Sequence, residues 1–196
     1  EFQVNTYTPQ SQYVPDVAVA ADGSFVVTWS DNEKDQDYTG IFARRFGADG
    51  LALATEVQVS AYTTDSQDLP AIAMVGGGSF VVVWELDRPG SADVFGRRFD
   101  AAGVALGVEF QADQFTSTQF EPDIAVDADG SVSIAGTTDS SDFPVLNALQ
   151  PEPGGGTDGF LARISPDGAG LIYSSFIGGG GAVFAPEGSP HPPPGS

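Results

Sequence analysis

The sequence contains one pattern three times, and this repetition limits the fold more than any other feature does. PDVAVAADGSFVVTWSD followed by GIFARRFGADG returns as PAIAMVGGGSFVVVWE followed by DVFGRRFDAAG, and again as PDIAVDADGSVSIAGTT followed by DGFLARISPDG. Pro15, Pro70 and Pro122 occupy the same place in the three copies. A repeat of roughly 50 residues indicates an architecture built from similar supersecondary units.

Each copy is predicted to form four short antiparallel strands. Alternating apolar and polar residues mark the strands, and Asp22-Gly23 and Asp129-Gly130 separate the first strand from the second. Asp-Gly is a strong hairpin signal because both turn residues are expected to adopt positive φ. A third strand ends in RRF or ARI, and a fourth closes the unit, as in EVQVS. The predicted units run over residues 16–60, 70–113 and 123–178.

The segment 1–5, EFQVN, has the pattern of a fourth strand, but no first three strands accompany it. It is predicted to be an extra strand, unpaired in its own unit, at the start of one repeat domain over residues 1–178. Gly and Pro dominate residues 179–196, which predicts a flexible tail.

Four-stranded units of about 40–50 residues are typical of β-propeller blades, so the sequence predicts an all-β, propeller-type fold. A β-sandwich also has short strands at regular spacing and is the alternative. Known propellers have about 4–8 blades. Three units and one extra strand therefore predict an open arc with exposed apolar flanks, which belongs to a larger propeller or is closed by oligomerisation.

Two resemblances fit this prediction. The third unit, DIAVDADGSVSIAGTTDSSDFPVLNALQ with DGFLARISPDGAGLIYSSFIGG, resembles the bacterial β-propeller repeat known as SBBP. The first two units, with EFQVNTYT, FVVTW and GIFARRF, resemble repeats of large exported bacterial adhesin-like and calcium-binding proteins. These resemblances imply an exported bacterial scaffold at the cell surface, in the periplasm or outside the cell, and they bring no catalytic residue.

The charge of the chain excludes some partners. A formal net charge of -20, with only seven Lys and Arg residues, disfavours nucleic acid and anionic membrane surfaces. No apolar run approaches the roughly 20 residues of a membrane span.

The only His is His191, in the tail, and there is no Cys, so neither a Ser-His-Asp triad nor a Cys-type zinc site can form in the body. We therefore predict that the chain is not an enzyme.

Three sets of residues are candidates for a site. An acidic loop places oxygens at alternate positions and is a candidate calcium site, or else a solvated loop: Asp31, Glu33, Asp35 and Asp37. Two tryptophans at equivalent positions are candidates for stacking on a glycan, although core packing is the favoured interpretation: Trp29 and Trp84. A third set of repeated residues is interpreted as structural and is expected to pair with aspartates such as Asp16 or Asp123, with an anion-binding row as the alternative: Arg44, Arg45, Arg97, Arg98 and Arg163. In the third unit, Gly136 is placed one residue beyond the position of the tryptophans.

The favoured function is a non-catalytic exported scaffold that acts through self-assembly or as part of a larger protein complex. A calcium- or glycan-binding adhesin module is the first alternative, and calcium is the candidate cofactor. A glycosidase is the second alternative, because an acidic chain can supply the paired carboxylates that glycoside hydrolysis requires.

Overall fold

The chain forms three antiparallel sheets of four strands each, in a computed structural model that describes residues 2–32, 34, 38–112 and 119–178. Within those ranges the only helical element is a short 3-10 turn at Gly76–Gly78, so no helix there is long and apolar enough to cross a membrane. The prediction of an all-β protein with four-stranded units is confirmed. The predicted tail lies outside the described residues.

The strands of each sheet lie in chain order, and every neighbouring pair is antiparallel. The first sheet contains β1 (Gln12–Val19), β2 (Phe25–Asn32), β3 (Thr39–Phe46) and β4 (Val57–Gln58). The second contains β5 (Ser66–Met74), β6 (Phe80–Arg88), β7 (Ser91–Phe99) and β8 (Phe110–Gln111). The third contains β9 (Gln119–Val126), β10 (Val132–Thr138), β11 (Asp158–Ile164) and β12 (Leu171–Ile177).

The hairpin between β1 and β2 depends on Gly23, whose φ is +85°. The amide of Gly23 donates to the carbonyl of Ala20, and the amide of Ala20 donates to the carbonyl of Ser24. The expectation that both residues of the Asp-Gly pair have positive φ is wrong, because Asp22 keeps negative φ. Its Oδ1 instead accepts from the amide and hydroxyl of Ser24, which stabilises the turn without the left-handed conformation.

The first strand of each sheet contains a bulge at the register proline. The residue before that proline has positive φ in all three sheets: +47° at Val14, +49° at Leu69 and +52° at Glu121. The strand pairing shifts at the same points. A left-handed conformation costs a residue with a Cβ roughly 1–2 kcal/mol. The bulge brings the preceding residue of each sheet to an equivalent place: Tyr13, Asp68 and Phe120.

Two apolar clusters hold the three sheets together, one at each boundary. Side chains alternate across β6, so one set faces the first sheet and the other faces the third. The first boundary includes Ile41, Ala43 and Val59 from the first sheet and Ile72, Val82 and Trp84 from the second. The second boundary includes Val81, Val83 and Val94 from the second sheet and Ile134, Phe160 and Phe176 from the third. The second sheet is therefore covered on both faces.

The N-terminal segment joins none of these sheets in the part of the chain described. Phe2 packs on the outer end of the first sheet, with its ring centroid 5.4 Å from that of Phe46 and 6.5 Å from that of Phe25. Residues 2–6 therefore lie against the face of the first sheet that is turned away from the second.

Candidate functional site

Polar residues from all three sheets meet around β5 and β6 of the second sheet, and we call Tyr13, Ser30, Asp68, Glu85 and Glu121 the seam cluster. The hydroxyl of Tyr13 donates to Oδ2 of Asp68 at 3.1 Å, and that of Ser30 donates to Oδ1 at 2.6 Å. Both donors belong to the first sheet and the acceptor to the second. These bonds orient the Asp68 carboxylate and tie the two sheets together through polar contacts.

The bulge contributes to this arrangement. The amide of Leu69, the left-handed residue after Asp68, donates to Oδ1 of Asp68 at 2.7 Å. Three donors therefore converge on one half-buried carboxylate: two side-chain hydroxyls of the first sheet and one backbone amide of the second. A carboxylate is suited to this surrounding because its two oxygens are acceptors with about four lone-pair sites.

Tyr13 is held as a proton donor. Burial raises the pKa of its phenol, a hydrogen bond with Thr39 at 3.2 Å opposes that shift, and the charge of Asp68 adds to it. The phenol of Tyr13 therefore keeps its proton at neutral pH and can donate to Asp68 or to a bound polar molecule.

Glu85 is the most buried carboxyl of the seam cluster, with 8% of the residue exposed. It lies opposite Asp68 in the pairing of β5 with β6, and such cross-strand partners have Cβ atoms about 4.5–5.5 Å apart. Burial raises the pKa of Glu85, and the amide of Glu121, which donates to Oε2 at 3.4 Å, opposes that shift. The charges of Asp87, Asp68 and Glu121 raise the pKa further. Glu85 therefore keeps its proton to a higher pH than an ordinary glutamate.

Of the four candidate ligands in the acidic loop, only Asp31 lies within the described residues. Asp31 is fully buried and accepts hydrogen bonds from Gln12 Nε2 and Trp29 Nε1, both at 3.4 Å. Burial raises the pKa of the Asp31 carboxyl. No three acidic or histidine side chains within the described ranges are grouped so that they could hold a metal ion. The remaining predicted ligands lie outside the described residues: Glu33, Asp35 and Asp37.

The two tryptophans are buried, with 3% of Trp29 and 1% of Trp84 exposed. Gly136 stands at their equivalent position opposite the bulge of the third sheet, so its placement one residue beyond that position was wrong. Its cross-strand partner Phe160 occupies the space, because a Cβ on Gly136 would lie 2.7 Å from Cε1 of that ring. The third sheet thus fills the same volume with an aromatic side chain from the neighbouring strand.

The arginines of the third strands connect neighbouring sheets through backbone groups. Arg98 donates to the carbonyls of Ser165 at 2.8 Å and Pro166 at 2.9 Å, both in the third sheet's outer turn. Arg45 lies against the equivalent turn one sheet earlier, where a Cβ on Gly103 would lie 3.0 Å from its Cδ. Arg98 and Arg45 therefore each reach forward to a glycine turn of the following sheet.

The predicted pairing of these arginines with Asp16 or Asp123 is wrong within the described residues. Asp16 Oδ2 accepts from the amide of Ile72 at 2.9 Å, and Asp123 Oδ1 accepts from the amide of Ile124 at 2.8 Å. Backbone amides therefore donate to both carboxylates, and within the described residues no ion pair joins either carboxylate to an arginine. Arg163 does pair with aspartates, but these are Asp127 and Asp129 of its own sheet.

The fold is shared with a solved structure of a Hadza microbial sialidase. The TM-score is 0.53 at 10% sequence identity, over 84% of this chain and 37% of the sialidase. The chain therefore spans little more than a third of the sialidase's length. An endo-arabinase from Bacteroides thetaiotaomicron matches less well, with a TM-score of 0.44 at 12% identity over 70% of this chain and 55% of that one. No protein-family model and no curated protein matches the chain.

The prediction that the chain is not an enzyme is contradicted by this comparison. It depended on the absence of His and Cys from the body, which excludes triads and thiolate chemistry. That absence does not exclude glycosidases, and the chain shares its fold with a sialidase. Carboxyl chemistry needs neither residue, and the seam cluster contains the buried Glu85 and the half-buried Asp68.

The seam cluster itself was missed at the sequence level. None of the three sets of candidate residues includes Tyr13, Asp68 or Glu85. One signal was available, because Tyr13 and Asp68 both stand two residues before a register proline. That shared position predicts an equivalent place in two neighbouring sheets.

Proposed function

We propose that this chain is part of an exported bacterial β-propeller that acts on carbohydrate, with its three sheets as successive blades of an arc. The observation that carries the proposal is the pair formed by Glu85 and Asp68, which are cross-strand partners in the second sheet. One carboxyl is buried with a raised pKa, and the other accepts hydrogen bonds from Tyr13 and Ser30. Two carboxyls in contrasting environments are the arrangement that glycoside hydrolysis uses.

In this mechanism Glu85 is the general acid and Asp68 the nucleophile. Glu85 transfers its proton to the glycosidic oxygen as the bond from that oxygen to the anomeric carbon breaks. Asp68 forms an ester bond to the anomeric carbon, and water then cleaves the ester while Glu85 takes up a proton from that water. Retaining glycosidases place the two carboxyl groups about 5–5.5 Å apart, a spacing that cross-strand partners can supply.

Tyr13 and Ser30 are positioning residues in this scheme. Their hydroxyls fix both oxygens of Asp68 before a sugar arrives, so the attacking oxygen has a defined direction. The exported setting and the kinship with SBBP repeats belong to the same proposal, because polysaccharides are abundant outside bacterial cells.

The test is hydrolysis of a panel of 4-methylumbelliferyl glycosides, including the sialoside and the arabinoside. We expect activity that Glu85→Gln and Asp68→Asn each reduce at least 100-fold. Glu152→Gln is the matched control, because Glu152 is an exposed glutamate of the third sheet's loop and should keep full activity. Absence of hydrolysis on every substrate would overturn the catalytic mechanism.

A glycan array on the same preparation separates binding from catalysis. Retention of a glycan without any hydrolysis would favour the adhesin-like binding module over the glycosidase. Loss of that retention in Asp68→Asn would place the binding site at the seam cluster, whereas unchanged retention would place it elsewhere.

A further inference from the structure

The N-terminal segment makes the contacts that a fourth strand makes with the sheet that follows it. Arg44 Nη1 donates to the carbonyl of Val4 at 2.7 Å. One sheet later, Arg97 Nη1 donates to the carbonyl of Val59, immediately after β4, at 3.0 Å. Val4 in EFQVN and Val59 in EVQVS stand at the same position of the repeat. The first sheet therefore holds residue 4 as the second sheet holds residue 59.

Two further contacts repeat in the same register. The amide of Thr6 donates to Oε1 of Glu56, as the amide of Ala61 donates to Oε1 of Glu109. The ring of Phe2 lies against the Gly50 turn, where a Cβ would be 3.5 Å from its Cε1. The ring of Phe110 lies in the same way against Gly168, at 3.7 Å from Cδ1. These contacts place residues 2–6 as the fourth strand of a further sheet.

The face of the first sheet beside this segment lacks a cover that the second sheet has. Val17 is 53% exposed, whereas Ile72 at the equivalent position of the second sheet is 6% exposed. Phe25 is half-buried, whereas Phe80 is fully buried. The same sequence pattern is thus buried in one sheet and open in the other. The difference is the neighbouring sheet, since the first sheet covers Ile72 and Phe80.

A slot marks where the missing cover would enter. A cavity of about 150 Å³ lies between the N-terminal segment and β1 and β2, lined by Val4, Tyr13, Pro15, Val27 and Trp29 among others. At the first boundary the corresponding apolar surface, which includes Val82 and Trp84, is packed by Ile41 and Ala43 of β3. The slot therefore has the place and chemistry of a site for the inward side chains of a third strand.

We infer that residues 2–6 are the fourth strand of a further sheet of this repeat, whose first three strands have the pattern of β5, β6 and β7. The third strand of that sheet would pair with residues 2–5 and insert two small or branched apolar side chains into the slot. The third sheet of a second copy is a poor occupant, because β12 already serves as its fourth strand. This inference rests on the sheets being successive blades, but not on any carbohydrate chemistry.

The test is a fusion in which a second copy of residues 61–108 is joined ahead of residue 1. EFQVN then takes the place that EFQAD holds after residue 108. We expect hydrogen exchange of the amides of residues 3–5 to slow at least tenfold relative to the unextended chain. Val17 should also become protected, and Tm should rise.

The control fusion carries Val94→Asp in the added copy only, which places a charge in the slot. Protection of residues 3–5 and Val17 should then be lost, while the three resident sheets keep their exchange rates. Equal protection in both fusions, or no protection in the first, would overturn the inference. A dimer of the unextended chain with these amides protected would also overturn it, because a second copy would then be the occupant. None of these outcomes depends on glycoside hydrolysis.

Discussion

The phenol of Tyr13 and the carboxylate of Asp68 face each other across a sheet boundary, with the hydroxyl 3.1 Å from Oδ2. The two residues occupy the same position in consecutive copies of the repeat, two residues before the register proline. One position of the repeat therefore holds a hydrogen-bond donor in the first sheet and an acceptor in the second. Neighbouring copies have diverged into a complementary pair.

Tyr13→Phe should destabilise the chain by about 1–3 kcal/mol, or roughly 2–10 °C in Tm, because it removes a hydrogen bond to a carboxylate. Thermal unfolding followed by circular dichroism measures the change. Tyr38→Phe is the control, since Tyr38 is exposed and its substitution should leave Tm within about 1 °C. An equal loss in both variants would show that the pair contributes nothing.

Glu85→Gln should stabilise the folded chain at pH 7 and have little effect near pH 4. The pKa of Glu85 is raised in the folded state, so the folded state binds more protons than the unfolded state between the two pKa values. Stability therefore falls as pH rises through that window, and the neutral Gln removes this loss. For a chain of this size each kcal/mol regained corresponds to about 2–4 °C in Tm. Melting curves from pH 4 to 7 with identical shifts throughout would contradict the assignment.

Arg98→Met should cost about 1–3 kcal/mol, because two carbonyls of the third sheet lose their donor. The equivalent change Arg163→Met removes only a surface ion pair with Asp127 and Asp129, which is worth about 0–1 kcal/mol. Denaturant unfolding compares the two. A larger loss at Arg163 would show that the ties between sheets do not set the stability.

Val82→Ala should cost about 2–3 kcal/mol, because Val82 is fully buried between the first and second sheets. Val27→Ala deletes the same atoms at the equivalent position, but Val27 lines the slot and should cost less than half as much. In the fusion described above the two costs should converge. Equal costs in the unextended chain would show that the face of the first sheet is already covered.

Calcium binding by the acidic loop is a separate prediction. If the loop binds calcium, addition of the ion after chelation should raise Tm. The combined change Glu33→Gln, Asp35→Asn and Asp37→Asn should abolish the rise. Asp31→Asn should leave it unchanged, because the Asp31 carboxyl is held by Gln12 and Trp29 inside the sheet. Loss of the rise in Asp31→Asn would instead make Asp31 a ligand.

The repeat was enough to predict the strands and their grouping, because alternation and turn residues are local signals. Val81 and Val82 show this well, since adjacent apolar residues on β6 require both faces of the sheet to be covered. The bulges could not be predicted, because positive φ at Val14 is unfavourable for a β-branched residue and is stabilised only by the surrounding sheet.

The candidate site was harder to predict than the fold. A proton donor such as Glu85 is recognised by its burial and by the charges around it, and neither quantity exists before the sheets pack. The predicted pairing of the arginines was wrong for a related reason. Their carboxylate partners were inferred from charge alone, whereas Arg98 bonds to carbonyls that every residue carries and no sequence pattern marks.

The bulge at each register proline gives every sheet one position at which the side chain need not be apolar. Tyr13, Asp68 and Phe120 share that place, yet one is a phenol, one an acid and one a hydrocarbon. Each sheet accommodates a different residue at this position, while the strands on either side keep the same pattern of apolar and polar residues. Copies of this repeat can therefore differ in the chemical group that they present at this position, while the strands around it keep the same pattern.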